Sequence, residues 1–485
     1  MTTAHARRLH SLTTVVGFLV AVEIASGILQ GFYTPIWKDI AGNLSINDAD
    51  VNWFEAANLV FSALAIPLLA RLGDLIGPKK VLLLSVGITA AGSWVLAFAP
   101  SFTTFLVGFA LQGALVVWLP MEVSIIHRRT EGDPGQDRLT RMAAAVLVFS
   151  LEIAVILGAG AAGGLVGTLS MPVLLSLPAA AATIVLFVVL VGVEDRPGES
   201  GGGIDWTGLG LVTVAIGLFM GGLIAIRVQG LGSALAWVLV VLGALAVVPF
   251  VRYEAAHADP IVDVDLFRSP AMWPVQLTAF LFGMSVLGAQ IPLSTFARTD
   301  PEVAGYGLGA SAGFVTVLIA VYVVSLAVGA LSLPLLSRVL GPRRALILAA
   351  VLVGVGYALW LPFHAHTWQA LLNMSVAGLG SGVLVAALPA AAAAAAPRER
   401  TGFATGMTNG TKTIGGAIAS AVFAIALSSA GSIADAEAGH APLSGYLVVW
   451  GVCAVAAFLA ALSLLVVPRG AFSDAPRPEP EVVPG

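Results

Sequence analysis

The sequence predicts an all-α integral membrane protein of fourteen transmembrane helices, arranged 6+2+6, with both termini cytoplasmic. Three observations lead there. A chain of 485 residues with 58% hydrophobic and 10% charged residues and a mean hydropathy of +0.96 cannot clothe a water-soluble surface. Its apolar residues fall in runs of about 20, the length at which an α-helix crosses a hydrocarbon core of ~30 Å, and not in the alternating ten-residue strands of a membrane barrel. The basic residues between those runs are strongly one-sided.

In chain order the spans are expected at about 12–34, 51–71, 81–99, 103–126, 139–166, 171–193, 206–227, 234–252, 271–296, 308–336, 344–364, 368–391, 401–429 and 443–467. The first of these follows Arg7 and Arg8, as a secretory leader would. It is longer than a leader's apolar core and carries Glu23 at its centre, so it is expected to be a retained helix. An even count places both termini on one side. Nineteen of the 23 Lys and Arg residues then share that side, against Lys38, Arg227 and Arg298 opposite and Lys412 within a span. Such a bias marks the cytoplasmic face and, through it, a multi-pass protein of the cell (cytoplasmic or inner) membrane.

A short internal echo supports two halves. Pro67-Leu-Leu-Ala-Arg71 and Gly77-Pro-Lys-Lys80 follow the second span, and Pro334-Leu-Leu-Ser-Arg338 and Gly341-Pro-Arg-Arg344 follow the tenth. Residues 1–193 are therefore expected to form an N-terminal six-helix bundle, 194–270 an inserted helix pair with its linkers, and 271–467 a C-terminal six-helix bundle. The Pro-rich, acidic segment 468–485 is expected to be a disordered cytoplasmic tail.

Several chemistries are disfavoured. A net charge of −4 gives no electrostatic case for nucleic acid. The single cysteine, Cys453, rules out an intrachain disulfide and a multi-cysteine metal centre. Gly158-x-Gly160-x-x-Gly163 matches a dinucleotide pattern formally, but it follows no strand and its spacing suits close helix packing. No Walker lysine motif is present, and His364 and His366 lack acidic or cysteine partners, so no cofactor or metal is expected.

The loop Ala70-Arg-Leu-Gly-Asp74-Leu-Ile-Gly77-Pro-Lys79-Lys80 resembles the signature between helices 2 and 3 of the major facilitator superfamily, G-x-L-x-D-R-x-G-x-K/R. Ala404-x-Gly406-x-x-Asn409-x-x-Lys412-x-x-Gly415-Gly416 and the segment Ile204 to Gly208 resemble its fourteen-helix drug:proton antiporter branch. The resemblance covers nearly the whole chain and implies the major facilitator fold. Ala70 and Leu75 depart from the loop signature. Phe109 stands where the branch has an arginine before Gln112-Gly113, and Ala159 to Gly164 lack the proline of the helix 5 antiporter pattern.

A charge at mid-bilayer costs at least ~2.5 to 3.5 kcal/mol, so each should be paired, protonated or turned to a water-filled cavity. Glu23, Glu152 and Lys412 lie near the middle of spans 1, 5 and 13 and are the leading proton-coupling candidates. Glu122 joins them as a candidate replacement for the arginine missing at Phe109, with a local salt bridge to Arg128 as its alternative role. Static ion pairs that only fix packing are the competing account. Gln30, Gln112, Gln290 and Asn409 are the polar candidates for a substrate cavity, with ordinary interhelical hydrogen bonding as their alternative role. Asp74, Gly77, Lys79 and Lys80 form the expected gating loop.

These features, with the resemblance, predict a non-enzymatic secondary transporter working by alternating access. It would exchange protons for an amphipathic, multidrug-type small molecule, lipophilic and favoured when cationic. Export of a lipid or endogenous metabolite, without the usual proton antiport, and a non-transporting receptor or scaffold stay open as alternatives.

Overall fold

The computed structural model describes residues 15–131, 133, 135–194, 198, 203–257, 260–397, 401–428 and 440–468. The tail expected at 468–485 lies outside them, apart from Pro468. The long helices run in chain order as α1 Leu19–Leu44, α2 Asn52–Ile76, α3 Pro78–Ala97, α4 Phe102–Arg129, α5 Gln136–Leu165, α6 Met171–Gly192 and α7 Trp206–Gln229. There follow α8 Ala234–Ala256, α9 Trp273–Arg298, α10 Ala312–Leu340, α11 Pro342–Ala358, α12 Thr367–Ala395, α13 Thr401–Leu427 and α14 Leu443–Leu464. Thirteen are apolar helices of at least 18 residues; α11, with 17, falls just short. In the repeat α11 pairs with α14 as the full-length α3 pairs with α6, so it stands as the fourteenth apolar helix by its place rather than by its length. Odd-numbered helices end on one face, here called distal; the other face is proximal.

The first six helices pair as α1 with α5, α2 with α4 and α3 with α6, and the last six repeat this as α9 with α13, α10 with α12 and α11 with α14. Helices α7 and α8 pack on each other, with α7 also against α2 and α13. Small residues permit the closest crossings, as expected where lipid supplies no hydrophobic drive between helices. A Cβ on Gly31 of α1 would collide with the Val155 carbonyl of α5, and one on Gly415 of α13 with the Phe280 carbonyl of α9. The echoed loops are matched too. Gly77 and Gly341 both leave their helix with positive φ, 99° and 83°, and a proline opens the next helix after each.

Helices α1, α4 and α9 are interrupted. A 3-10 segment, Thr34–Ile36, breaks α1 beside Pro35, and Gly113–Val117 breaks α4. Side chains of α2 satisfy carbonyls at the α4 break: Asn58 donates to Phe109 O at 2.8 Å and Ser62 to Gly113 O at 2.9 Å. In α9 the break falls between Val286 and Gln290. Broken spans of this kind survive where protein groups rather than lipid meet the freed backbone.

At the distal end the two six-helix sets are tied together. Lys38 donates to Arg298 O at 3.0 Å, Arg298 pairs with Asp39 and donates to Pro35 O, and Ser294 donates to Thr34 O. Further round, Thr316 of α10 donates to Ala159 O of α5 at 3.0 Å.

Candidate functional site

Beneath those distal ties lies a cavity of about 280 Å³ between the two sets of helices. Its walls come from α1 and α5 on one side and from α9 to α13 on the other, and they are largely apolar, led by Leu and Val. Four sequence candidates meet there: Gln30 of α1, Glu152 of α5, Gln290 of α9 and Lys412 of α13. Thr34 and Ser294 line it as well, so the contact that closes the distal end is also the cavity's roof.

Glu152 and Lys412 occupy corresponding helices of the repeat and face one space, yet no salt bridge within 4.0 Å and no hydrogen bond engages either side chain among the described residues. The cavity is therefore apolar with one acid on one wall and one amine on the other. Tyr322 of α10, which the sequence reading did not single out, lines the same wall. Its hydroxyl is buried near Glu152 and Ser381 and has no hydrogen-bond partner within 3.5 Å among the described residues. A tyrosine in the middle of span 10 was the available signal.

Glu23 is elsewhere. It is fully buried inside the first bundle, and its partner is Glu122 of α4, also fully buried. The expected Glu122–Arg128 bridge gives way to this acid–acid contact. Among the described residues no other group is hydrogen-bonded to the four oxygens, so they face each other acceptor to acceptor, and a hydrogen bond between them requires a proton on one carboxyl. The Ser26 hydroxyl lies beside Glu23 and accepts a hydrogen bond from Gln30 Nε2 at 3.0 Å. Residues 23, 26 and 30 recur at helical spacing on one face of α1, so a polar file leads from the cavity to the acid pair.

Gln112 does not line the cavity. It is buried, with Nε2 donating to Tyr33 Oη at 2.7 Å and Ser93 Oγ at 2.8 Å. Phe109, in the position of the family's arginine, packs edge-on against Tyr33 and Trp37 with ring centres 5.3 Å from each. Asn409 is exposed and outside the cavity wall. In the proximal loop Lys79 donates to Leu190 O at 3.1 Å within its own bundle, Gly77 makes the turn, and Asp74 and Lys80 are exposed.

On the distal rim Asp50 forms a two-pronged bond with Arg227 of α7, at 2.9 and 2.8 Å, both side chains being buried. Burial holds Asp50 above its ordinary proton affinity, while the Arg227 guanidinium pulls the other way. Among the described residues no cluster of three or more His, Cys, Asp or Glu side chains is arranged to hold a metal ion.

Two bundles with repeated helix pairing, an inserted pair and a cavity at their seam agree with a family model, the Major Facilitator Superfamily, that matches residues 19–315 and 277–484. The chain belongs to the major facilitator superfamily. Proteins to which it is similar include a uridine/deoxyuridine transporter of Lactococcus lactis, 25% identical over 305 residues, 61% of this chain and 62% of that protein. The probable actinorhodin transporter of Streptomyces coelicolor is 26% identical over 86% of this chain and 72% of its own length. Multidrug resistance protein Stp of Mycobacterium tuberculosis is 25% identical over 79% and 70% respectively. The crystal structure of a peptide transporter, POT, in complex with sulfate shares the fold, with a TM-score of 0.67 at 15% identity, covering 93% of this chain and 94% of that one. The protein is thus a multi-pass membrane transporter, not an enzyme.

Proposed function

We propose that this transporter exports amphipathic small molecules from the cytoplasm in exchange for protons, by alternating access at the seam cavity. The observation that carries the proton coupling is the buried Glu23–Glu122 pair, which needs a proton to form its hydrogen bond and is linked to the cavity through Ser26 and Gln30. Releasing that proton would leave two anions in contact inside the bundle, so proton occupancy and helix arrangement are energetically tied. Glu152, inside the cavity itself, is the second proton-exchanging acid, placed where substrate and proton compete for the same space.

Charge asymmetry supports reading the distal face as extracytoplasmic and the membrane as the cell membrane. The distal ties then close the cavity to the outside, and the opposite state would open them while the Asp74–Lys80 loop draws the proximal ends together. Relatives named for multidrug resistance and for actinorhodin transport support the export reading and the amphipathic class. The largely apolar wall supports it independently.

Purified protein in sealed vesicles, with a panel of positive, negative and uncharged amphipathic dyes and a pH indicator, tests the reading. At least one dye should accumulate against its gradient when a pH gradient is imposed, with counterflow of protons, and stop when a protonophore collapses the gradient. Dye movement indifferent to the gradient would remove proton exchange from the mechanism, and absence of movement for every dye would remove transport of this class.

A further inference from the structure

Resting on the transport reading above, we propose that the seam cavity selects zwitterionic amphiphiles, receiving an ammonium group at Glu152 and a carboxylate at Lys412. Both charged side chains line one small cavity, from opposite bundles, and neither is engaged by an ion pair or hydrogen bond among the described residues. Two unpaired charges beside apolar walls are costly, and they persist where something else neutralises them or water reaches them. The remaining surface, including Phe282, Val286 and Leu318, favours an apolar body, and the buried Tyr322 hydroxyl near Glu152 supplies one more unused polar contact.

The selectivity follows from what each wrong ligand leaves behind. A lone cation satisfies Glu152 but brings a second positive charge beside Lys412. A lone anion does the reverse. A zwitterion discharges both sites, and its apolar body fills the space between them. Discrimination therefore comes from repulsion and abandonment as much as from attraction. The cation preference drawn from the acids alone is narrowed by this arrangement, because the amine shares the acid's cavity.

Three ligands of nearly one shape separate the cases: tryptophan, tryptamine without the carboxylate, and indole-3-propionate without the amine. Equilibrium binding to purified full-length protein at pH 7, by displacement of tritiated tryptophan and by direct calorimetry, should give tryptophan at least a tenfold advantage over both analogues. Glu152→Gln should weaken tryptophan at least tenfold and strengthen indole-3-propionate, whose carboxylate no longer meets a second negative charge. Lys412→Met should weaken tryptophan at least tenfold and strengthen tryptamine, whose ammonium no longer meets a second positive charge. Equal affinity for the three ligands, a reversed order, no binding, or equal losses for all three in either variant would overturn the assignment. Because this measurement uses no gradient, its failure with pH-driven dye flux intact strikes only the charge assignment. Loss of that flux with the ligand order intact strikes only the transport reading.

Discussion

Glu23 and Glu122 set a proton-counting constraint that substitutions can read. Glutamine at position 23 keeps the size of the side chain and can donate its amide to Glu122, so the contact survives while its exchangeable proton is gone. Glu23→Gln and Glu122→Gln are each expected to reach wild-type amounts in the membrane and to lose at least tenfold of proton-driven export in vesicles, while downhill exchange of substrate continues. An unchanged pH profile in both variants would show that the pair is a static packing element. The sequence marked both residues as charges that needed an explanation but did not reveal that they explain each other. Ninety-nine residues separate them, and the contact depends on the rotation of α1 against α4, which local pattern leaves unspecified. Gln112 illustrates the same gap. Its polar side chain was legible, but its commitment to Tyr33 and Ser93 depends on neighbours brought together by the fold.

At the scale of elements, α7 is held to the first bundle by a buried charge pair, and the inserted helices are more than lipid-facing filler. Leu223 and Ile226 of α7 pack with Trp53 and Ala56 of α2 and with Ala421 and Ala424 of α13, so this helix end touches both sides of the distal seam. Arg227 anchors it to Asp50. Asp50 carries its own sign: with a buried value above the ordinary 3.8, its contribution to stability is present at acid pH and lost as pH rises through the raised value. Arg227 limits that loss. Arg227→Leu should therefore cost about 3 to 5 kcal/mol near neutral pH, the scale for orphaning a buried charge, and less near pH 5. Adding Asp50→Leu should recover most of it. Thermal unfolding in detergent across that pH range measures both, and a pH-independent cost would mean that the arginine acts through packing alone. The long apolar helices and the echoed glycine turns were readable from the chain because hydropathy length and positive φ are local properties. Arg227 was visible as one of three basic residues on the basic-poor face; its acid partner, 177 residues away, was not.

For the molecule as a whole, alternating access requires the distal ties to be transient. Thr34, Asp39, Ser294 and Arg298 come from the broken distal parts of α1 and α9, the same position in each half of the repeat, so one rocking motion can part them all. The cavity roof would open with them, since Thr34 and Ser294 belong to both structures. Cys453, the single cysteine, is buried in α14, so thiol chemistry can be directed at introduced positions with little background. Asp39→Cys combined with Arg298→Cys replaces an ion pair across the seam by two thiols within reach of a short bifunctional methanethiosulfonate. Cross-linking should abolish export, and reduction should restore it to the level of the uncross-linked double variant, which itself corrects for the missing ion pair. The single-cysteine variants, treated alike, should keep their activity. If the cross-linked protein, verified by mass, continues to export at the reduced rate, the distal seam does not open during the cycle. The two bundles would then have to release substrate by another route, such as laterally between helices.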